Sequence, residues 1–268
     1  LQYPPGTTAM FSYIESRGGE YDNTVFFGLQ YLLKEVLSKP ITKADIDEAE
    51  EFYKAHLGSG EIFNRAGWDY ILEKHGGYMP IRIKAVPEGS VVPTRNVLVT
   101  VESTDPEVFW IVSYLETMLL RAVWYPTTVA TTSWRIKHNI IKRYLEMTSD
   151  DPDGQLPFKL HDFGARGVSS YESAGLGGAA HLVNFMGTDT VTGLVFARDY
   201  YGEPMAGFSI PAAEHSTMTA RGPEGEVEAM RQMLDKFAKP GAILACVSDS
   251  YDIYRASKEY WGKILKPQ

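Results

Sequence analysis

Apolar positions along this chain change their period several times, and each change marks an element. Residues 8–16 (TAMFSYIES) alternate as in a half-buried strand, whereas 24–37 (TVFFGLQYLLKEVL) are apolar on too many sides for a surface helix and predict a buried one. Thr42 precedes a helical run from Lys43 to Leu57 with Ser59-Gly60 beyond it. A second helix is read over Phe63 to Lys74, stopped by Gly76-Gly77. Residues 81–86 and 97–102 alternate again and predict strands around a Pro/Gly loop. Thr104-Asp105-Pro106-Glu107 combines a capping box with proline in the first turn, predicting a helix to about Val123. Pro126 breaks the pattern, and another helix is expected over Thr128 to Met147.

Ser149-Asp150-Asp151-Pro152-Asp153-Gly154 is the clearest boundary, and the texture changes after it. Short apolar segments near 159–161, 181–185, 207–210 and 242–247 alternate with helical ones near 170–180, 189–201, 224–237 and 251–265. That alternation predicts an α/β class with βα units on a mainly parallel sheet or barrel. Two domains follow, 1–150 with strands and a helical packing layer, and 151–268 with the alternating units.

Composition narrows the partners. The 268 residues, 44% hydrophobic, suffice for one large domain or two smaller ones. A formal charge of −8 argues against a general nucleic-acid surface, although a local Arg/His cluster can still hold phosphate. The single cysteine, Cys246, lies in the apolar run Ala242 to Val247 and reads as a buried thiol, consistent with a reducing, cytoplasmic setting. No stretch approaches the roughly 18 apolar residues of a membrane span, so no membrane partner is expected. Leu1-Gln2-Tyr3-Pro4-Pro5 reads as the middle of a chain.

Four polar clusters carry the candidate chemistry, each beside an apolar segment, as when an α/β barrel builds a site at its strand ends. In Leu160-His161-Asp162-Phe163-Gly164-Ala165-Arg166-Gly167, Phe163 could stack on a flat ring and Arg166 could grip a phosphate, or the two could be a core aromatic and a surface cation. His161 is read as structural, and the glycines of 175–178 as permitting close helix–strand packing. Thr188-Asp189-Thr190 is either a helix N-cap or a carboxylate aimed at a ligand amide or ribose hydroxyl. In Ile210-Pro211-Ala212-Ala213-Glu214-His215-Ser216-Thr217, a histidine among small residues outside a helix suits phosphate contact or proton transfer. Val247-Ser248-Asp249-Ser250-Tyr251-Asp252 offers carboxylates for sugar hydroxyls or hydrated Mg²⁺, with helix capping by Ser248 or Asp249 as the alternative. No HxH or HExxH metal pattern occurs.

Together these segments resemble the nicotinamide phosphoribosyltransferase family. HDFGARGVSS (161–170), NFMGTDTVTGL (184–194), IPAAEHST (210–217) and VSDSYDIY (247–254) follow the family's order, and QYPPGT (2–7), FFGLQYLL (26–33), IKAVPEGSVVP (83–93) and VTVESTDP (99–106) extend the likeness. The resemblance implies a type II phosphoribosyltransferase fold, with an α+β domain beside an irregular α/β barrel, in a homodimer with active sites at the subunit interface. It implies nicotinamide, 5-phosphoribosyl 1-diphosphate and ATP as ligands, with Mg²⁺ carried on the diphosphate and reached from Asp249 through water. Phe163 would stack on the pyridine ring, Arg166 would meet phosphate or amide, Asp189 would accept the carboxamide N–H, and Ser209 would lie beside the base. His215 would be the histidine phosphorylated from ATP, Asp249 would organise ribose and diphosphate, and Arg17 would lie near phosphate.

The chain departs from the family at Ala165, where an aromatic is frequent, and at Ala245, where a serine hydroxyl would face the amide oxygen. It is also expected to lack the amino-terminal tyrosine segment and the carboxy-terminal part, since no Arg-Pro-Asp occurs. Two further readings are a nicotinate phosphoribosyltransferase, disfavoured by Asp189, and a truncated, non-catalytic ligand-binding or dimerising protein. The 268-residue chain alone is expected to turn over little or nothing.

Overall fold

The computed structural model describes residues 2–267 and divides after Phe208 into two compact units. The expected boundary at 149–154 lies within the first of them.

The first unit begins with an antiparallel sheet in the order β1-β5-β3, formed by Phe11–Glu15, Val97–Ser103 and Ile81–Ala85. Central β5 turns Leu98, Val99 and Val101 into a core that includes Phe26, Ile71, Ile111 and Leu115. Helix Lys43–Leu57 starts where expected: Asp45 N–H donates to Thr42 Oγ1 at 3.3 Å and Thr42 N–H donates to Asp45 Oδ2 at 2.8 Å. Helix Arg65–His75 also matches its expectation within two residues at its start.

The apolar run 24–37 is not one helix. Asn23–Val25 is a strand, β2, paired with Val91–Pro93, β4, and the helix Leu29–Leu32 begins only after Gly28, whose φ of 111° is closed to other residues. Pro126, expected to break a helix, lies inside the continuous helix Glu116–Arg135. Proline leaves the Ala122 carbonyl without its helical donor, and tertiary packing holds the helix together there. A side chain at Gly28 would overlap Pro126 and come within 2.7 Å of the Ala122 oxygen, so the glycine gives the proline turn room to pack. At the next residue, Thr127 Oγ1 accepts from Phe27 N–H at 3.1 Å and donates to Phe27 O at 3.0 Å, while one turn on Thr131 Oγ1 accepts from Val25 N–H at 2.9 Å. Helix hydroxyls thus act as the missing neighbour of a buried extended segment.

The later part of this unit has parallel strands. His161–Asp162 (β6) pairs with Gly187–Thr188 (β7), and Gly187 also bridges to Phe208 in parallel. The segment 181–185, expected as a strand, instead ends helix Tyr171–Leu182 and turns, because wholly buried Phe185 anchors the chain and Asn184 N–H bonds to His181 O. The glycines of that helix serve helix–helix contact, not the expected helix–strand contact. A methyl group on Gly178 would lie 2.8 Å from Gly193 Cα in helix Val191–Tyr201, and one on Gly175 would overlap the Phe196 ring.

The second unit contains a parallel bridge between Ala212 and Ala245, helix Glu226–Phe237, and a final helix that begins at Ile253–Arg255 and continues with wide π-type turns over Ala256–Ile264. Met218, Met230, Ala256 and Tyr260 form its core. The class is mixed α/β, as expected from the pattern. Among the described residues no helix is long and apolar enough to cross a membrane.

Candidate active site

In the first unit, strand pairing brings two of the polar clusters together. The register sets His161 opposite Gly187 and Asp162 opposite Thr188. Side chains alternate across a strand, so 161 and 163 share a face with 187 and 189. The rings of His161 and Phe163 lie 4.7 Å apart, and Phe163 is 63% exposed, which removes the core-aromatic alternative. His161 Nε2 stands 3.0 Å from Asp189 Oδ1. Gly187 makes this possible, since a methyl group there would lie 2.8 Å from His161 Nδ1.

Local hydrogen bonds hold the strand ends in shape. Asp189 N–H donates to Asp162 O at 2.9 Å, and the Asp162 carboxylate accepts from Gly164 N–H at 2.7 Å. That bond starts the tight turn Gly164–Gly167, which carries Arg166 out to solvent with no ion-pair partner among the described residues. Thr190, not Asp189, is the N-cap residue of helix Val191–Tyr201, and the Asp189 carboxylate meets His161. Beneath the β6 end lies a cavity of about 300 Å³, lined by Tyr125, Asp162, Ser173, His181 and Thr190 among others. His181 is buried, and that burial lowers its pKa and keeps the imidazole neutral while Nε2 contacts Gly187 O at 2.8 Å.

In the second unit, Glu214 precedes the short helix His215–Thr219 and receives Ser216 Oγ on its carboxylate at 3.0 Å. The helix start turns His215 outward, where its Nε2 lies 3.1 Å from Asp249 Oδ1. Asp249 follows a braced turn: Ser248 Oγ donates to Cys246 O at 3.0 Å and accepts from Trp261 Nε1 at 2.8 Å. Asp252, not Ser248 or Asp249, caps the final helix by accepting from Arg255 N–H at 3.0 Å. Ser209 is exposed at the start of this unit, with Oγ directed at Ile210 O at 3.4 Å. Cys246 is half-buried, and burial followed by nearby Glu226 pushes its thiol up, so it stays protonated as a structural residue.

The structure therefore joins His161, Phe163 and Asp189 in one place and His215 and Asp249 in another. Arg17 is exposed beyond β1 and lines a different cavity, of about 690 Å³, with Tyr13 and Glu116. The sequence reads His161 as structural, yet its Nε2 meets Asp189 Oδ1. The available signal was period two, which places 161 beside 163 once 159–161 is read as a strand.

Chemically, an exposed aromatic face beside a carboxylate suits a planar ring that carries an N–H donor. A histidine that gives its Nε2–H to a carboxylate presents Nδ1 as an acceptor or nucleophile. Among the described residues no group of three or more His, Cys, Asp or Glu could hold a metal ion. A single carboxylate such as Asp249 matches an ion that keeps its waters and arrives on a diphosphate.

Comparison with known proteins first defines the class. Nicotinate-nucleotide pyrophosphorylase from Pyrococcus furiosus superposes with a TM-score of 0.51 at 16% identity, covering 96% of this chain and 49% of that one, so the two share a fold. Residues 1–83 match the nicotinamide phosphoribosyltransferase N-terminal domain, and residues 158–268 match the nicotinate phosphoribosyltransferase (NAPRTase) family. The chain is 65% identical over 268 residues to nicotinamide phosphoribosyltransferase of Xanthomonas campestris pv. campestris, covering 100% of itself and 56% of that protein. It is 32% identical over 277 aligned positions to the Acinetobacter baylyi protein of the same name, covering 98% of itself and 54% of that relative. The chain is similar along its whole length to nicotinamide phosphoribosyltransferases, and it spans about half the length of the curated relatives it matches.

Proposed function

We propose that the protein is a pentosyltransferase that joins nicotinamide to 5-phosphoribosyl 1-diphosphate, giving nicotinamide mononucleotide and diphosphate for NAD synthesis. The observation that carries this is the shared face of Phe163 and Asp189, an exposed ring next to a carboxylate held by His161. Phe163 stacks on the pyridine, and Asp189 accepts the carboxamide N–H. The same carboxylate repels the charged group of nicotinate, which sets base choice by an unfavourable contact as well as a favourable one.

In the transfer, the pyridine nitrogen forms a bond to the anomeric carbon as the carbon–oxygen bond to diphosphate breaks. The electron pair leaves with diphosphate, and no proton moves. The state between is oxocarbenium-like, so the protein supplies positioning and charge stabilisation without a nucleophile of its own. Arg166 contacts phosphate or the amide region, Ser209 lies beside the base, and Asp249 organises ribose hydroxyls and the hydrated Mg²⁺ on diphosphate. When bound, Mg²⁺ neutralises charge on that leaving group. His215 would take the terminal phosphoryl group of ATP, releasing ADP, and later lose it to water as phosphate, coupling hydrolysis to synthesis. Arg17, which lines a cavity apart from Phe163 and Asp189, fits a phosphate contact made across a cytoplasmic homodimer.

The test is a side-by-side assay of full-length protein with nicotinamide and nicotinate, including Asp189→Ser. Preference for nicotinamide that erodes in the variant supports the assignment. Preference for nicotinate in the unaltered protein defeats it.

A further inference from the structure

We infer that His161 is a specificity-determining residue: it positions the Asp189 carboxylate, and the pair, not Asp189 alone, selects an amide-bearing ring over an acid-bearing one. The inference rests on the proposed binding of a pyridine base between Phe163 and Asp189.

Three observations place the imidazole in this role. Its ring is clamped on the strand face by Phe163 on one side, at 4.7 Å between ring centres, and by the bare backbone of Gly187 on the other. Its Nε2 is directed at Asp189 Oδ1 at 3.0 Å, so one carboxylate oxygen is held in a defined orientation beside the exposed Phe163 ring. A carboxylate offers about four acceptor sites, so a bond from His161 does not compete with one from a ligand amide. Position 189 also closes the strand end through its own N–H to Asp162 O.

Titration calorimetry of full-length protein with nicotinamide and with nicotinate, at pH 8, tests the inference. Three forms are compared: unaltered, His161→Gln and His161→Leu. Glutamine keeps an N–H donor but carries no charge, and leucine removes the donor. At pH 8 the expected nicotinamide preference is near normal in the Gln form and falls on the order of tenfold in the Leu form. An unchanged preference in the Leu form, or an equal loss in the Gln form, overturns the role of His161 while leaving the base assignment intact. Equal binding of both bases by unaltered protein at pH 8 overturns the base assignment, and this inference with it. The Gln form keeps the test valid should the Leu form fail to fold, as monitored by circular dichroism.

Discussion

His215 and Asp249, separated by 34 residues, meet with Nε2 and Oδ1 3.1 Å apart. Their side chains are 65% and 64% exposed, so the pair is screened by water and contributes under about 1 kcal/mol to folding. Its value lies in orientation. His215→Ala is expected to leave the melting temperature within roughly 3 °C of normal and to abolish acid-labile phosphate incorporated from labelled ATP. Asp249→Asn should keep a contact to the ring but hold the other tautomer, cutting labelling about tenfold. Equal labelling in both variants and the unaltered protein would show that phosphate goes elsewhere.

Thr127 supplies both hydrogen-bond partners that buried Phe27 uses on its main chain. Thr127→Val leaves a buried N–H and a buried carbonyl unmet and is expected to cost about 2–4 kcal/mol. Thr127→Ser retains the hydroxyl and should cost less than about 1 kcal/mol. Urea unfolding midpoints for the two variants distinguish this from simple loss of a methyl group.

Gly178 allows the helices Tyr171–Leu182 and Val191–Tyr201 to touch backbone to backbone. In Gly178→Ala the new carbon would lie 2.8 Å from Gly193 Cα and 3.1 Å from Thr190 Cγ2. The gain in helix propensity, up to about 1 kcal/mol, is outweighed by overpacking of about 1–3 kcal/mol. Thr190 adjoins Asp189, so weaker nicotinamide binding should accompany the lower stability. Calorimetric binding measured well below the unfolding temperature separates the two effects.

Asp105 should be one source of acid sensitivity in the first unit, beside other depressed carboxylates such as Asp45 and Asp47. The Glu107 N–H, and then His75 at 2.7 Å, hold the Asp105 carboxyl below its ordinary range. Its folded-state pKa is depressed relative to the unfolded chain, so its contribution is complete above the ordinary carboxylate value. The contribution is lost as pH falls through the lower, folded value. Asp105→Asn should therefore flatten the acid limb of a stability-versus-pH curve between pH 5 and 2 and lower the plateau above it. An unchanged acid limb would assign acid unfolding to other carboxylates.

Local rules succeeded wherever the signal was local. The Thr42 capping box, the Lys43–Leu57 helix and the alternating strands at 81–85 and 97–103 all follow from side chains acting on their own backbone. Reading failed where a distant group overrode a local preference. Pro126 sits inside a helix because Gly28 gives its turn room to pack. Residues 24–37 split because Val91–Pro93 claims the first part as a strand. The 181–185 segment turns because Phe185 is buried.

By itself the sequence determined the alternating α/β texture of residues 159–265 and the family that the four polar clusters resemble, because residue type and order carry that information directly. It also made Phe163, Asp189, His215 and Asp249 candidates. Only the tertiary structure decided which of them meet. Strand register placed His161 over Gly187 and against Asp189, and the Ala212–Ala245 bridge accompanies the meeting of His215 with Asp249. Contacts between residues 28 and 34 positions apart depend on how the chain folds back on itself, and no local pattern encodes that distance.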